Sequence, residues 1–170
     1  MKKYIILFAL IFPILSFSKT KLSDEDKKNK VEALAHKISK KFSDVPTISV
    51  KDFLLLNSQN IYIVDVRTEA ESKVSMIPGA IKVQDFKKLV NEDKVPKDKM
   101  VFTYCTIGFR SSQYTRELIK KGYQSKSIKG SLLAWIHEKQ KLESNGKKTN
   151  KIHVYGKQWD LVPRGYISVR

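Results

Sequence analysis

Only one cysteine, Cys105, occurs in the 170 residues. A single thiol excludes an internal disulfide and leaves that thiol inert, paired to a partner, or reactive. Histidine is also scarce, with three residues. His36, His137 and His153 lack the spacing of metal ligands, so neither a metal site nor a cofactor is expected. Seven glycines and five prolines are too few for a collagen-like or low-complexity chain. Acidic residues are outnumbered 33 to 17 by Lys and Arg, which gives a formal net charge of +16. The lysines are scattered, however, and there is no Arg-rich run with interleaved aromatics, no helix-turn-helix and no finger pattern. Nucleic acid is therefore not an expected partner. The basic surface reads as a solvated lysine-rich one whose field can attract small anions.

Long apolar runs are also missing. The run at residues 5–15 is broken only by Pro13 and falls short of the ~20 residues of a membrane span. Lys2 and Lys3 precede it, and Ser16-Phe17-Ser18 follows with small residues where a signal peptidase reads. That order predicts a signal peptide over residues 1–18 and an exported protein, periplasmic or secreted. An uncleaved anchor is the alternative, and it would be the chain's only membrane contact. No cysteine follows the run, so a lipoprotein anchor is not expected.

Residues 19–46 predict a lead-in helix. Ser23 can cap it, Asp24, Glu25 and Asp26 suit the positive end of its dipole, and Val31, Leu34, Ile38 and Phe42 recur at helical spacing. The pattern then changes. Residues 47–50, 61–66, 81–83, 100–104 and 123–128 read as strands. Those at 61–66 and 100–104 are the continuous apolar kind that a parallel sheet buries on both faces. Helical stretches at 52–57, 86–91, 111–121 and 131–142 alternate with them, with Tyr114, Thr115 and Leu118 facing inward and Gly122 ending the third. Strand–helix alternation predicts an α/β domain over 47–142, a parallel sheet with helices on both faces. Residues 143–170 form a tail that is expected to fold back on the domain, with Asn145-Gly146 as a turn or linker. Leu161-Val162-Pro163-Arg164-Gly165 matches a protease site used in expression tags, but no tag flanks it and it is read as native.

The chemistry concentrates at Cys105-Thr106-Ile107-Gly108-Phe109-Arg110-Ser111. The cysteine follows directly on a buried strand, and ligands of open α/β sheets bind beyond the carboxyl ends of the strands. A loop there that opens a helix aims its amides at one point and favours negative charge. Gly108 allows a tight backbone turn, and Arg110 adds a permanent cation. Together these features favour the thiolate of Cys105.

Around this loop, the sequence resembles the rhodanese (sulfurtransferase) domain family over about residues 48–142. Asp65-Val66-Arg67 followed by Glu69 resembles the family's first signature, and Ile77-Pro78-Gly79-Ala80 its second. The stretch from Tyr104-Cys105 to Arg110-Ser111 is similar to its active loop. Gly122-Tyr123, Ile128-Lys129-Gly130 and the aromatic Trp135 follow in order. The chain departs from the family at three places. Met76 stands where a histidine is common, Thr106 where a second arginine often follows the cysteine, and Ser131 in the second place of a Gly-Gly pair.

The resemblance implies a catalytic Cys105, with Thr106, Ile107, Gly108, Phe109, Arg110 and Ser111 binding substrate. Asp65 and Arg67 read as an ion pair that also orients the loop, and Trp135 as core. The implied activity moves a sulfane sulfur from a donor such as thiosulfate or a persulfide, through a Cys105 persulfide, to a thiophilic acceptor. That acceptor is a small molecule or a protein thiol, and the protein is expected to act as a monomer. Two alternatives stay open: a dual-specificity-phosphatase-like or arsenate-reductase-like activity, and a non-enzymatic persulfide carrier or binding module.

Overall fold

The computed structural model describes residues 21–56 and 61–170. The predicted signal peptide and the end of the 52–57 helix lie outside them.

Helix α1 (Asp24–Lys41) starts on Ser23, which shares a reciprocal capping box with Asp26. Its acidic first turn and basic last turn both suit the helix dipole. Val31 and Ala35 are buried. Strand β1 (Thr47–Ile48) is shorter than the sequence pattern suggests, because Ser49 leaves the strand to cap α2 (Val50–Leu54). Then follow β2 (Ile61–Asp65), α3 (Glu69–Val74), β3 (Ile81–Lys82), α4 (Val83–Asn91), β4 (Met100–Tyr104), α5 (Phe109–Lys120), β5 (Ser125–Ile128) and α6 (Ser131–His137). Helix α6 ends five residues before the expected Leu142: Lys139 takes a left-handed φ of 55°, which turns the chain out of the helix.

The five strands form one parallel sheet in the order β1-β5-β4-β2-β3. The period-2 rule of strands sorts its core into two layers. Phe102 and Tyr104 of β4 join Phe53, Leu132 and Ile136 on the side of α1, α2 and α6. Val101 of β4 and Val64 of β2 instead meet Phe86, Tyr114 and Leu118 on the side of α4 and α5. Helices thus cover both faces, as the apolar runs require. After β2 the chain runs outward to β3, and after β4 it runs the other way to β5. The switch point lies between the carboxyl ends of β2 and β4, where Asp65 and Cys105 stand.

Residues 143–149 are not a linker. Strands β6 (Leu142–Ser144) and β7 (Lys147–Thr149) form an antiparallel hairpin. Asn145 and Gly146, with φ of 50° and 73°, make its two-residue turn. The hairpin is docked by paired backbone bonds between Met76 and Glu143. Beyond it, β8 (Lys151–His153) pairs in parallel with β9 (Ile167–Val169). Ile152, Val154, Leu161 and Val162 of this tail are buried in the same core layer as α6. Lys27 Nζ donates to the Val162 carbonyl at 2.6 Å, and His137 Nε2 lies 2.8 Å from that of Leu161.

Candidate active site

Cys105 leaves the end of β4 with only 1% of its surface exposed. The next four residues wrap around it, and the Gly108 amide donates to its Sγ at 3.1 Å. Gly108 holds φ 120°, a conformation closed to L side chains, although a Cβ at this position would lie 3.8 Å or more from its neighbours. Conformation rather than space therefore requires glycine here.

Helix α6 holds the loop from behind. The amides of Leu132 and Leu133 donate to the carbonyls of Cys105 (3.1 Å) and Thr106 (3.0 Å). A peptide plane carries its N–H opposite its C=O. Pinning these two carbonyls outward therefore turns the amides of Thr106 and Ile107 the other way, toward the interior of the loop. Ser131 Oγ accepts from the Cys105 amide at 3.1 Å and donates to the Ile128 carbonyl at 3.1 Å. From the first turn of α5, the hydroxyls of Ser111 and Ser112 donate to the Gly108 carbonyl. Helix α5 begins at Phe109, so its first-turn amides have no carbonyl one turn earlier to bond. The arrangement is an anion cradle with a sulfur atom at its base.

Arg110 does not project into this cradle as a free cation. Its two terminal nitrogens each donate to Glu71, both at 2.7 Å, and Nη2 also reaches the Thr106 hydroxyl at 3.3 Å. Glu71 further accepts from the amide and hydroxyl of Thr68, and from Thr106. Burial works to raise the Glu71 carboxyl, but the Arg110 guanidinium and the Thr68 amide overcome it and hold it at about 2. The same contact pushes the Arg110 guanidinium up.

The residues from Cys105 to Ser111 thus form the loop and the first turn of α5. Asp65 and Arg67 stand one step away. They form an ion pair with both side chains fully buried, and Arg67 also donates to the Ser75 carbonyl. Their link to the loop is Tyr104, the residue before the cysteine, whose hydroxyl donates to Asp65 at 2.9 Å and accepts from the Ile77 amide at 3.1 Å. Trp135 is in the core, with its indole N–H on the Lys141 carbonyl. Glu69, which belongs to the first family signature, is an exposed partner of Lys73.

Sequence reasoning missed Glu71, Ser131 and the contribution of the tail. The signal for Glu71 was present: Thr68-x-x-Glu71 is a capping box, which ties the carboxylate to the start of α3. The tail gave no such signal. A single 3-10 turn, Lys157–Trp159, brings Gln158 and Trp159, together with Tyr155, to the mouth of the loop. Thr68, Ile107, Phe109 and Arg110 complete a cleft of about 560 Å³ with Cys105 at its floor. Among the described residues, no cluster of three or more His, Cys, Asp or Glu could hold a metal ion.

The profile of the rhodanese-like domain matches residues 51–138. The chain belongs to the rhodanese-like domain family. A sulfurtransferase of Allochromatium vinosum is 33% identical over 82 residues, 48% of this chain and 77% of that protein. A tRNA sulfurtransferase of Desulfurococcus amylolyticus is 40% identical over 70 residues, 41% of this chain but only 14% of that protein. The crystal structure of thiosulfate sulfurtransferase from Pseudomonas aeruginosa superposes with a TM-score of 0.54 at 21% identity. It covers 74% of this chain and 24% of that one, a likeness of fold. The chain spans only a small part of the two longer proteins, and the family match at residues 51–138 stops before the tail that walls the cleft.

Proposed function

We propose that the protein is a sulfurtransferase that carries sulfur as a persulfide on Cys105. The Cys105 thiolate attacks the sulfane sulfur of a donor such as thiosulfate or a persulfide, and the donor's remaining part departs with the electron pair of the broken bond. The outer sulfur of the resulting persulfide sits among the loop amides until a thiophilic acceptor removes it. The observation that carries this reading is the Gly108 amide on Cys105 Sγ, inside a loop whose Cys105 and Thr106 carbonyls are bonded to α6. A buried thiol at the base of converging N–H groups suits an anionic sulfur. The sulfurtransferase relatives support the same chemistry.

A phosphatase reading finds less support. Four residues separate Cys105 from Arg110, one fewer than in the loop of the dual-specificity phosphatases. The guanidinium that would grip a phosphate is already held at two points by Glu71.

The test is intact-mass spectrometry after incubation with thiosulfate or with a persulfide. Wild type gains one sulfur atom, cyanide removes it, and Cys105→Ser gains none. A wild type with a titratable thiol that stays unmodified by both donors would overturn the proposal. Release of phosphate from an aryl phosphate, abolished in Cys105→Ser, would favour the phosphatase reading.

Residues 1–18 are proposed as an export signal that delivers the domain outside the cytoplasm. No helix among the described residues is long and apolar enough to cross a membrane. N-terminal sequencing of protein recovered from outside the cytoplasm checks this, with a start at Lys19 expected. The donor and acceptor are proposed as small molecules, with a protein thiol as a further acceptor, and the protein as a monomer.

A further inference from the structure

The cleft above Cys105 is much larger than a transferred sulfur requires. Its volume of about 560 Å³ falls within the ~300–1,000 Å³ typical of sites for organic ligands. Ile107, Phe109, Tyr155 and Trp159 make its walls largely apolar, and Thr68 and Gln158 add uncharged polar groups. Among the described side chains that line it, Arg110 is the one cation, and Glu71 neutralises it. The side chains that line the cleft thus offer an inorganic dianion no unbalanced cation, and the nearby Lys41 Nζ stands over the outer wall, 5.0 Å from the Phe109 ring. Two of its aromatic walls come from the tail, beyond the matched family domain at residues 51–138. That wall is anchored. Leu161 and Val162 next to it are buried, Trp159 packs against the core, and the Trp159 amide closes a turn on the Gly156 carbonyl at 2.9 Å. Tyr155, in contrast, is 72% exposed, a large aromatic surface left open at the mouth.

Building on the sulfur-transfer reading of Cys105, we infer that Tyr155 and Trp159 bind the organic body of the acceptor, a low-molecular-weight thiol with an apolar or aromatic group. The acceptor sulfur bonds to the outer sulfur of the Cys105 persulfide as the Cys105 S–S bond breaks. Cys105 departs as thiolate with the electron pair, and the thiol proton passes to the transferred sulfur. The products are an organic persulfide, R–S–SH, and the starting enzyme, with no external oxidant or reductant. The tail thereby sets acceptor class, while the loop sets the chemistry.

The test loads the full protein with sulfur from inorganic polysulfide, confirms loading by intact mass, and measures kcat/KM for benzyl mercaptan and for cyanide. The readout is the ratio of the two. Trp159→Ala is expected to lower it about tenfold, the usual effect of lost apolar contact in a pocket. Trp159→Phe should restore most of the loss. Tyr155→Ala, at an exposed side chain with little part in folding, should lower the ratio in the same direction. An unchanged ratio in both alanine variants of a loaded protein overturns this inference and leaves sulfur transfer standing. Failure of wild type to take up sulfur from either polysulfide or thiosulfate overturns the sulfur-transfer reading, and this inference with it.

Discussion

Glu71 and Arg110 face each other across two hydrogen bonds of 2.7 Å, one carboxylate oxygen to each terminal nitrogen of the guanidinium. The carboxylate is buried and the guanidinium is one-third exposed. This pair ties α3 to the first turn of α5 and settles what the loop cation does. It braces the loop through Glu71 while staying within interaction range of Cys105.

The pair makes stability depend on pH in a defined direction. A carboxylate held below its ordinary 4.5, here at about 2, contributes stability that is complete above 4.5 and fades as pH falls through 2. The difference corresponds to at most about 3 kcal/mol. Glu71→Gln is therefore expected to be clearly less stable than wild type at pH 7, with the gap narrowing as pH approaches 2.5. Urea denaturation of both proteins across that range checks it. A gap that stays constant with pH would show that the charge of Glu71 contributes nothing.

Ser131 sits in the left-handed region at φ 49°, and its hydroxyl bonds both the Cys105 amide and the Ile128 carbonyl. Ser131→Gly relieves backbone strain while losing those bonds, two effects of about 1 kcal/mol that oppose one another. Ser131→Ala loses the bonds and keeps the strain. Alanine should therefore be less stable than glycine by about 1 kcal/mol, measurable as a lower denaturation midpoint. Equal midpoints would mean that the backbone at this position carries no strain.

Asp65 and Arg67 are both fully buried, so removing one leaves a bare charge in the core. Asp65→Ala should cost about 3–5 kcal/mol. Tyr104→Phe, which leaves the Ile77 amide and one Asp65 oxygen each short of a partner, should cost about 1–3 kcal/mol. Calorimetry on the two variants checks the order; a Phe variant as damaged as the Ala variant would contradict it.

Gly108→Ala places a side chain at φ 120°, where only glycine is at ease. The expected result is a folded protein with a displaced loop amide and slower alkylation of Cys105 by iodoacetamide. Alkylation at the wild-type rate would separate Cys105 reactivity from the Gly108 amide.

The fold was legible in the sequence wherever its signal was local. Two apolar runs of strand length, separated by helical patterns, specify a doubly covered parallel sheet, because such segments must be buried on both faces. The strand-end cysteine, the glycine three residues on and the arginine two beyond it define the loop, because chain direction and a glycine-only φ are properties of a few consecutive residues. Asn145-Gly146 marked a turn, but not what the turn joined. The hairpin is held by Met76, far away in the chain, so its docking had no local sign.

What only the tertiary structure decided is who meets whom. Glu69 and Glu71 look alike in the sequence, yet two positions on a helix point ~200° apart. One of them faces water, and the other faces Arg110, 39 residues on. Ser131 reaches the Cys105 amide across 26 residues, and the tail returns to cover a cleft about fifty residues behind it. The sequence by itself determined the sheet, the loop and its sulfur atom, since each follows from residues adjacent in the chain. The state of charge at the loop and the shape of the space above it were decided by packing, because both depend on groups that only the folded chain brings within a few ångströms.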